Sequence, residues 1–375
     1  MRCVFCMVVW GEDYIREFLA LSFPTLMARG NLDGFPFLGG ARFILMTTIK
    51  DWQYLQKTPQ VRKLQQMMEV HPIFIDAMIP NPARPSYNHK YIRVSLAQSD
   101  CISRVGVSAD CIFFLYPDFV YSAGALSRIA TRMDEGYEAV CCPMPFLSQE
   151  AATNGLYDKE HLVVDTAQGP VVTIQPRKLV EMCIKHPHPV MKGFDTTGAQ
   201  LSEWPGFFIW PVPGEGWLFH SFHLHPIALR PKSNDPNYFQ QFELSLDDEF
   251  VSKVFEVGSN IYFPKDSDEF ALCSFRSEMS PPHPRPGRRG ALLPAIRWAE
   301  KYASLTHRWF LTAPFRWHHS STTEKAWLET EARASDHVRA IRDRLNVPDM
   351  VLSYEDPSTY TARQRRKLHY AQIDT

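Results

Sequence analysis

Along the first 145 positions, short continuous apolar runs alternate with stretches in which apolar residues recur at helical spacing. Residues 2–10 form one such run, followed by Ile15, Phe18, Leu19, Leu21, Leu26 and Met27 on one helical face and by Gly30-Asn31, a helix stop signal. This predicts a βα unit. Residues 41–48 predict a second strand, 52–70 a helical stretch interrupted at Pro59, and 71–79 a third strand. Pro80, Pro82 and Pro85 then break the chain ahead of a helix over 87–105. Residues 111–116, Cys-Ile-Phe-Phe-Leu-Tyr, lack polar alternation, as a central parallel strand covered by helices on both faces requires. A helix over 123–135 leads to a strand over 139–144. The repeated strand-then-helix order implies right-handed crossovers and a doubly wound α/β sheet.

Beyond residue 150 the pattern is mixed. Short strands over 161–165 and 171–175 precede a helix over 176–185, and aromatic, Pro-Gly-rich segments continue to 275, the kind of irregular matter that forms a pocket over a sheet. The run PPHPRPGRRG from Pro281 reads as a linker, followed by a basic aromatic helix and a charged tail. Residues 276–320 carry eight Arg or Lys against two Glu. No internal repeat is evident.

Composition narrows the classes. With 375 residues, 45% hydrophobic and 22% charged, the chain is long enough for a sizeable core and too apolar for disorder. The 40 Lys and Arg nearly balance the 41 Asp and Glu, so no overall basic field attracts a nucleic-acid backbone, and no nucleic-acid partner is expected. The longest apolar runs fall far below the roughly 18 to 20 residues that cross a bilayer. Gly11-Glu12-Asp13 ends the N-terminal run where a secretory signal would continue, so a cytoplasmic location is expected. Eight cysteines at 3, 6, 101, 111, 141, 142, 183 and 273 sit mostly in apolar runs, which fits a reducing compartment. Cys3 and Cys6 would face opposite sides of a strand, and no second pair completes a zinc site. The phosphate-binding patterns G-x-G-x-x-G after the first strand and G-x-x-x-x-G-K-[ST] are both missing, which removes dehydrogenase and P-loop readings.

The most informative segment is the fourth strand and its exit, Ala109-Asp110-Cys111-Ile112-Phe113-Phe114-Leu115-Tyr116-Pro117-Asp118, followed by Ser122-Ala123-Gly124-Ala125-Leu126. A carboxylate at the carboxyl end of a buried parallel strand lies in the crevice where open α/β sheets bind ligands. These residues resemble the GT-A class of nucleotide-sugar glycosyltransferases, whose central strand ends in an acidic motif before a helix that begins with small residues. The resemblance covers residues 1–145 in order and spacing and continues more loosely to 275.

It implies a Rossmann-like, mostly parallel sheet flanked by helices, with a mixed second half and a helical C-terminal appendage. Residues 1–145 would bind the nucleotide sugar, 146–275 would form the acceptor side, and 276–375 would be a linker and helical region. The implied activity is transfer of a hexose from a nucleoside-diphosphate sugar, a UDP-sugar by preference, to a saccharide, lipid-linked or protein acceptor. In the family the acidic motif binds Mn²⁺ or Mg²⁺, and a hard cation held by carboxylate oxygen stabilises a departing diphosphate. Here Tyr116 replaces the first acidic residue, so that Asp118 would bind the metal alone or the enzyme would need less metal than its relatives, while capping of the following helix or turn is the other reading of Asp118. The resemblance also assigns Trp10, Gly11 and Glu12, and Thr47 and Asp51, to base and ribose. Gly11 allows close backbone approach and Trp10 or Tyr14 offers a stacking face, while an N-cap role fits Asp51 equally. Lys90 and Arg93 are placed to reach phosphates, or to lie on a solvated helix face.

Two further clusters carry candidate chemistry. In Trp217-Leu218-Phe219-His220-Ser221-Phe222-His223-Leu224-His225, alternation puts His223 and His225 on one strand face, where they could ligate a metal or form hydrogen bonds in an aromatic wall. Together with His220 they also define a rival reading, a metal-dependent hydrolase. A catalytically inactive sugar-binding relative is a third, suggested by Tyr116. In Ser245-Leu246-Asp247-Asp248-Glu249 an acidic helix start offers Asp247 and Asp248 as the base that deprotonates an acceptor hydroxyl, with Glu215 as the alternative. The aromatics over 204–222 fit a sugar platform or a core. The basic aromatic segment 291–317 fits peripheral contact with an anionic membrane at its inner face, or a helix packed on the body.

Overall fold

Strand β4 (Cys111–Leu115) is completely buried, and its side chains alternate between two apolar cores. The computed structural model describes residues 1–78, 89–167, 169–198, 206–232, 246, 250–279, 292–320 and 324–345. In its first half the strands are β1 (Cys3–Val8), β2 (Arg42–Thr47), β3 (Glu69–Phe74), β4, β5 (Phe119–Tyr121), β6 (Ala139–Cys142) and β7 (Phe146–Ser148). In its second half they are β8 (Val164–Thr166), β9 (Gly169–Val171), β10 (Phe207–Val212), β11 (Gly216–Ser221), β12 (His225–Leu229), β13 (Ile261–Tyr262), β14 (Leu272–Arg276) and β15 (Phe315–His318). Seven of them form one sheet in the order β13-β6-β12-β4-β1-β2-β3.

Pairing is parallel from β3 through β2 and β1 to β4, as the continuous apolar runs require. Cys3, Phe5 and Met7 of β1 join Cys111, Phe113 and Leu115 on one face, while Val4 and Cys6 join Ile112 and Phe114 on the other. Cys3 and Cys6 thus lie on opposite faces, and all eight cysteines are buried thiols. The sequence places β3 two residues too late. Its half-exposed edge position tolerates Pro72, which has no N–H to donate.

The departure from a fully parallel sheet is β12, which is antiparallel to both β4 and β6. Its register slips between Pro226 and Ala228, where the proline again cannot join the ladder. The first helical stretch runs Glu12–Glu17, Phe18–Ser22 and Phe23–Leu26, the middle piece a π turn just before Pro24.

The second half adds two three-stranded sheets, β10-β11-β15 and β5-β14-β7, and the hairpin β8-β9. Because β15 supplies an edge of the sheet built by 207–221, residues 315–318 are integral to that layer instead of belonging to an appendage. The basic aromatic segment is likewise packed inward, with Trp298, Trp309, Phe310 and Trp317 all buried. Leu293 and Tyr302 of the same segment stay exposed. Among the described residues no helix is long and apolar enough to cross a membrane.

Candidate functional site

Asp118 leaves β4 in a turn and is fixed from across the fold. Its Oδ2 accepts a hydrogen bond from Ser274 Oγ on β14 at 2.6 Å, and its carbonyl accepts one from Phe275 N at 2.8 Å. The register Ser274↔Phe119 creates this contact, so β14 positions the carboxylate at the crevice end of β4. Burial raises the Asp118 pKa, opposed by the Ser274 bond and by the charges of Lys90 and His225. A desolvated carboxylate of this kind gains from taking a cation.

Four other groups surround it. Lys90, on the helix His89–Val105, donates to Tyr14 Oη and feels both Asp118 and Arg276, with burial lowering its pKa. His225 meets Tyr116 and Phe119 edge-on at 6.0 and 6.1 Å between ring centroids. Tyr116 stacks on Phe119 at 4.4 Å and accepts from Gln98 Nε2 at 3.2 Å, so it forms an aromatic wall where an acid would otherwise stand. Glu17 faces the same region. Burial and then Asp118 push its carboxyl up to about 7, and its Oε2 is buried without a hydrogen-bond partner among the described residues. Lys90, Tyr116, Asp118 and His225 are therefore brought together. Ser274, Arg276 and Glu17 come from distant or polar-looking positions that carry no local signal.

The nucleotide assignments fare unevenly. Trp10 is half-buried with the Arg93 guanidinium 5.7 Å from its ring, and Arg93 Nε donates to Met78 O at 3.2 Å. Gly11 has φ of 81°, and its N–H donates to Asp51 Oδ2 at 2.9 Å. Asp51 also accepts from Thr48 Oγ1 at 2.8 Å, so its carboxylate ties the end of β1 to the end of β2. The helix cap is Thr48, not Asp51, because the helix starts at Ile49. Glu12 points outward, its side chain 91% exposed and paired with Arg16, and Thr47 is fully buried.

The histidine cluster does not converge. Strand β11 stops at Ser221, which breaks the alternation expected to align His223 with His225. His220 Nδ1 donates to Leu311 O at 2.8 Å, and His223 packs on His307 and Trp298 at 4.8 and 5.5 Å. Only His225 remains with Asp118, which removes the three-histidine hydrolase geometry. The aromatics of 207–222 are core, with Phe207, Phe208, Trp210, Phe219 and Phe222 buried. Asp247 and Asp248 lie outside the described residues.

Glu215 is buried in the loop before β11 and acts on Arg177 together with Asp266 and Asp268. It directly precedes β11, whereas His225 starts β12, beyond the other end of that strand. It interacts with Arg177, His319 and Ser320, none of which belongs to the group around Asp118. Around it stands a group that sequence reading missed. Ligand atoms of Asp266, Asp268 and His318 all lie within 4.8 Å of one another. The D-x-D spacing at 266–268 is the available sequence signal.

No protein-family model matches the chain. Among curated proteins it is similar to one component of the nuclease SbcCD, in Escherichia coli strain K12 and in Escherichia coli O157:H7. Each is 29% identical over 130 residues, which cover 30% of this chain and 32% of the relative. The chain thus spans about a third of the length of these relatives. Among solved structures it is similar to apo mouse xyloside xylosyltransferase 1, with a TM-score of 0.30, 10% identity, and coverage of 65% of this chain and 77% of that one.

Proposed function

We propose that the chain is a glycosyltransferase that takes a hexose from a nucleoside-diphosphate sugar bound at the carboxyl ends of β1 and β4. The observation that carries this reading is Asp118, anchored by Ser274 and faced by Lys90 with Arg276 and His225 nearby. One carboxylate among basic groups at the end of a central strand suits a diphosphate and a divalent cation.

In this reading Asp118, with His225 beside it, would hold Mn²⁺ or Mg²⁺. The cation supplies charge stabilisation for the leaving diphosphate. Lys90 and Arg276 add positive charge that does not depend on the metal, which offsets the loss of an acidic ligand at Tyr116. The Gly11 backbone, held by Asp51, and the Trp10 face border the base-binding side. Asp247 and Asp248 are proposed as the acceptor-side base.

A thermal-shift screen with UDP- and GDP-sugars in the presence of Mn²⁺, followed by an assay for sugar release, tests this. One donor should raise the melting temperature and lose its sugar. Cleavage of DNA with no response to any nucleotide sugar would replace the transferase reading with a nucleolytic one, the alternative raised by the partial likeness to the SbcCD nuclease.

A further inference from the structure

The second charged group lies away from the crevice. Asp118 is at the Ser274 end of β14, whereas Asp266 and Asp268 precede that strand beyond Leu272, its other end. His318, the last residue of β15, closes the group from the adjoining sheet.

His318 is the informative member. Its side chain is only 6% exposed, and its Nδ1 lies 3.1 Å from Ser320 O, which can only accept. Ser320 O takes up the Nδ1 side of the ring, so Nε2 is the atom that faces the Asp268 carboxylate, 3.7 Å away and beyond hydrogen-bond distance. Two carboxylates and one buried imidazole nitrogen thus converge within 4.8 Å. Oxygen and nitrogen donors so grouped suit a metal ion, and the Nδ1 bond to a carbonyl is the supporting contact by which ligating histidines are oriented. Asp266 also borders a cleft of about 390 Å³ with Lys265, Arg316 and Glu331.

The cation now serving the group is Arg177, which grips Asp268 through Nε at 2.8 Å and a terminal nitrogen at 2.7 Å. Its side chain is 48% exposed and that of Asp268 41%, so the pair is screened by water and readily exchanged. We propose that Asp266, Asp268 and His318 form a binding site for a divalent first-row transition-metal ion, which Arg177 closes when the ion is absent. Two carboxylate oxygens and one imidazole nitrogen suit Mn²⁺ or Zn²⁺ and leave coordination positions open to water. Buried Glu215 adds negative charge beside the site. The site stands independently of the sugar-transfer reading.

Mn²⁺ titration of the full chain, followed by the loss of free-ion electron paramagnetic resonance signal, tests it. The experiment uses the Asp118→Asn background so that the crevice does not contribute. One equivalent should bind, and Asp266→Asn, the half-exposed Asp268→Asn and His318→Gln should each weaken it at least about tenfold. Arg177→Gln removes the competing cation and should tighten binding by about three- to tenfold. Mn²⁺ should also raise the melting temperature of the Asp118→Asn parent but not of Asp268→Asn. Absence of bound Mn²⁺ at millimolar concentration in both the parent and Arg177→Gln would overturn the proposal, as would binding unchanged by Asp268→Asn and His318→Gln.

Discussion

Asn31 shows how much a single polar side chain can hold. It is fully buried; its Nδ2 donates to Thr25 O at 2.8 Å and Ser122 O at 3.0 Å, and its Oδ1 accepts from Leu126 N at 3.0 Å. The amide links the end of the first helical stretch to the exit of β5 and the start of the helix Ala125–Asp134. Asn31→Ala strands these backbone groups and should cost about 2 to 4 kcal/mol in urea denaturation. A loss below about 0.5 kcal/mol would contradict the bonding. In the sequence, Asn31 reads only as a helix stop, because two of its three partners lie some ninety residues on. His220 carries a pH signature. Burial lowers its pKa to about 4. Its folded value lies below the unfolded one of about 6.5, so its stabilisation is complete above pH 6.5 and is lost as pH falls towards 4, by on the order of 3 kcal/mol. Stability measured from pH 7 to 4 should therefore fall less steeply in His220→Gln than in the parent; parallel curves would refute the neutral, buried state.

At the scale of elements, the parallel strands and the helix Pro176–Lys185 are legible because one periodicity governs each. The antiparallel β12 is not, since direction follows from where the chain enters the sheet. The helix Glu324–Arg344 reads as a charged tail, yet Trp327, Thr330, Ala334, Val338 and Ile341 form a buried stripe on it. Threonine and alanine in that stripe weaken the apolar signal among many charges. The β11-β15 junction is a tight point. A Cβ on Gly216 would stand 2.1 Å from Trp317 O and 2.7 Å from His318 Cα, both backbone atoms that cannot turn aside. Gly216→Ala should force β15 off β11 and cost about 3 kcal/mol or more by thermal unfolding. A change within about 0.5 kcal/mol would show that the two strands are not packed as described.

At the scale of the whole molecule, two separate charged groups stand out. One holds Asp118, Lys90, Arg276, His225 and Glu17, and the other holds Asp266, Asp268, His318, Arg177 and Glu215. Asp118 was legible because a carboxylate after a buried apolar strand is a local pattern. Ser274, which fixes it, and Glu17, which opposes it, depend on contacts made only after the sheet closes. The three-histidine cluster failed for the converse reason, because closeness in sequence was broken by the end of β11 at Ser221. The central claim, a diphosphate held at Asp118, is tested most directly by calorimetric titration of UDP in the presence of Mn²⁺ into the parent and Asp118→Asn. The account predicts binding by the parent and at least a roughly tenfold loss in the variant, its unfolding transition preserved. Equal affinity in the two proteins would contradict it.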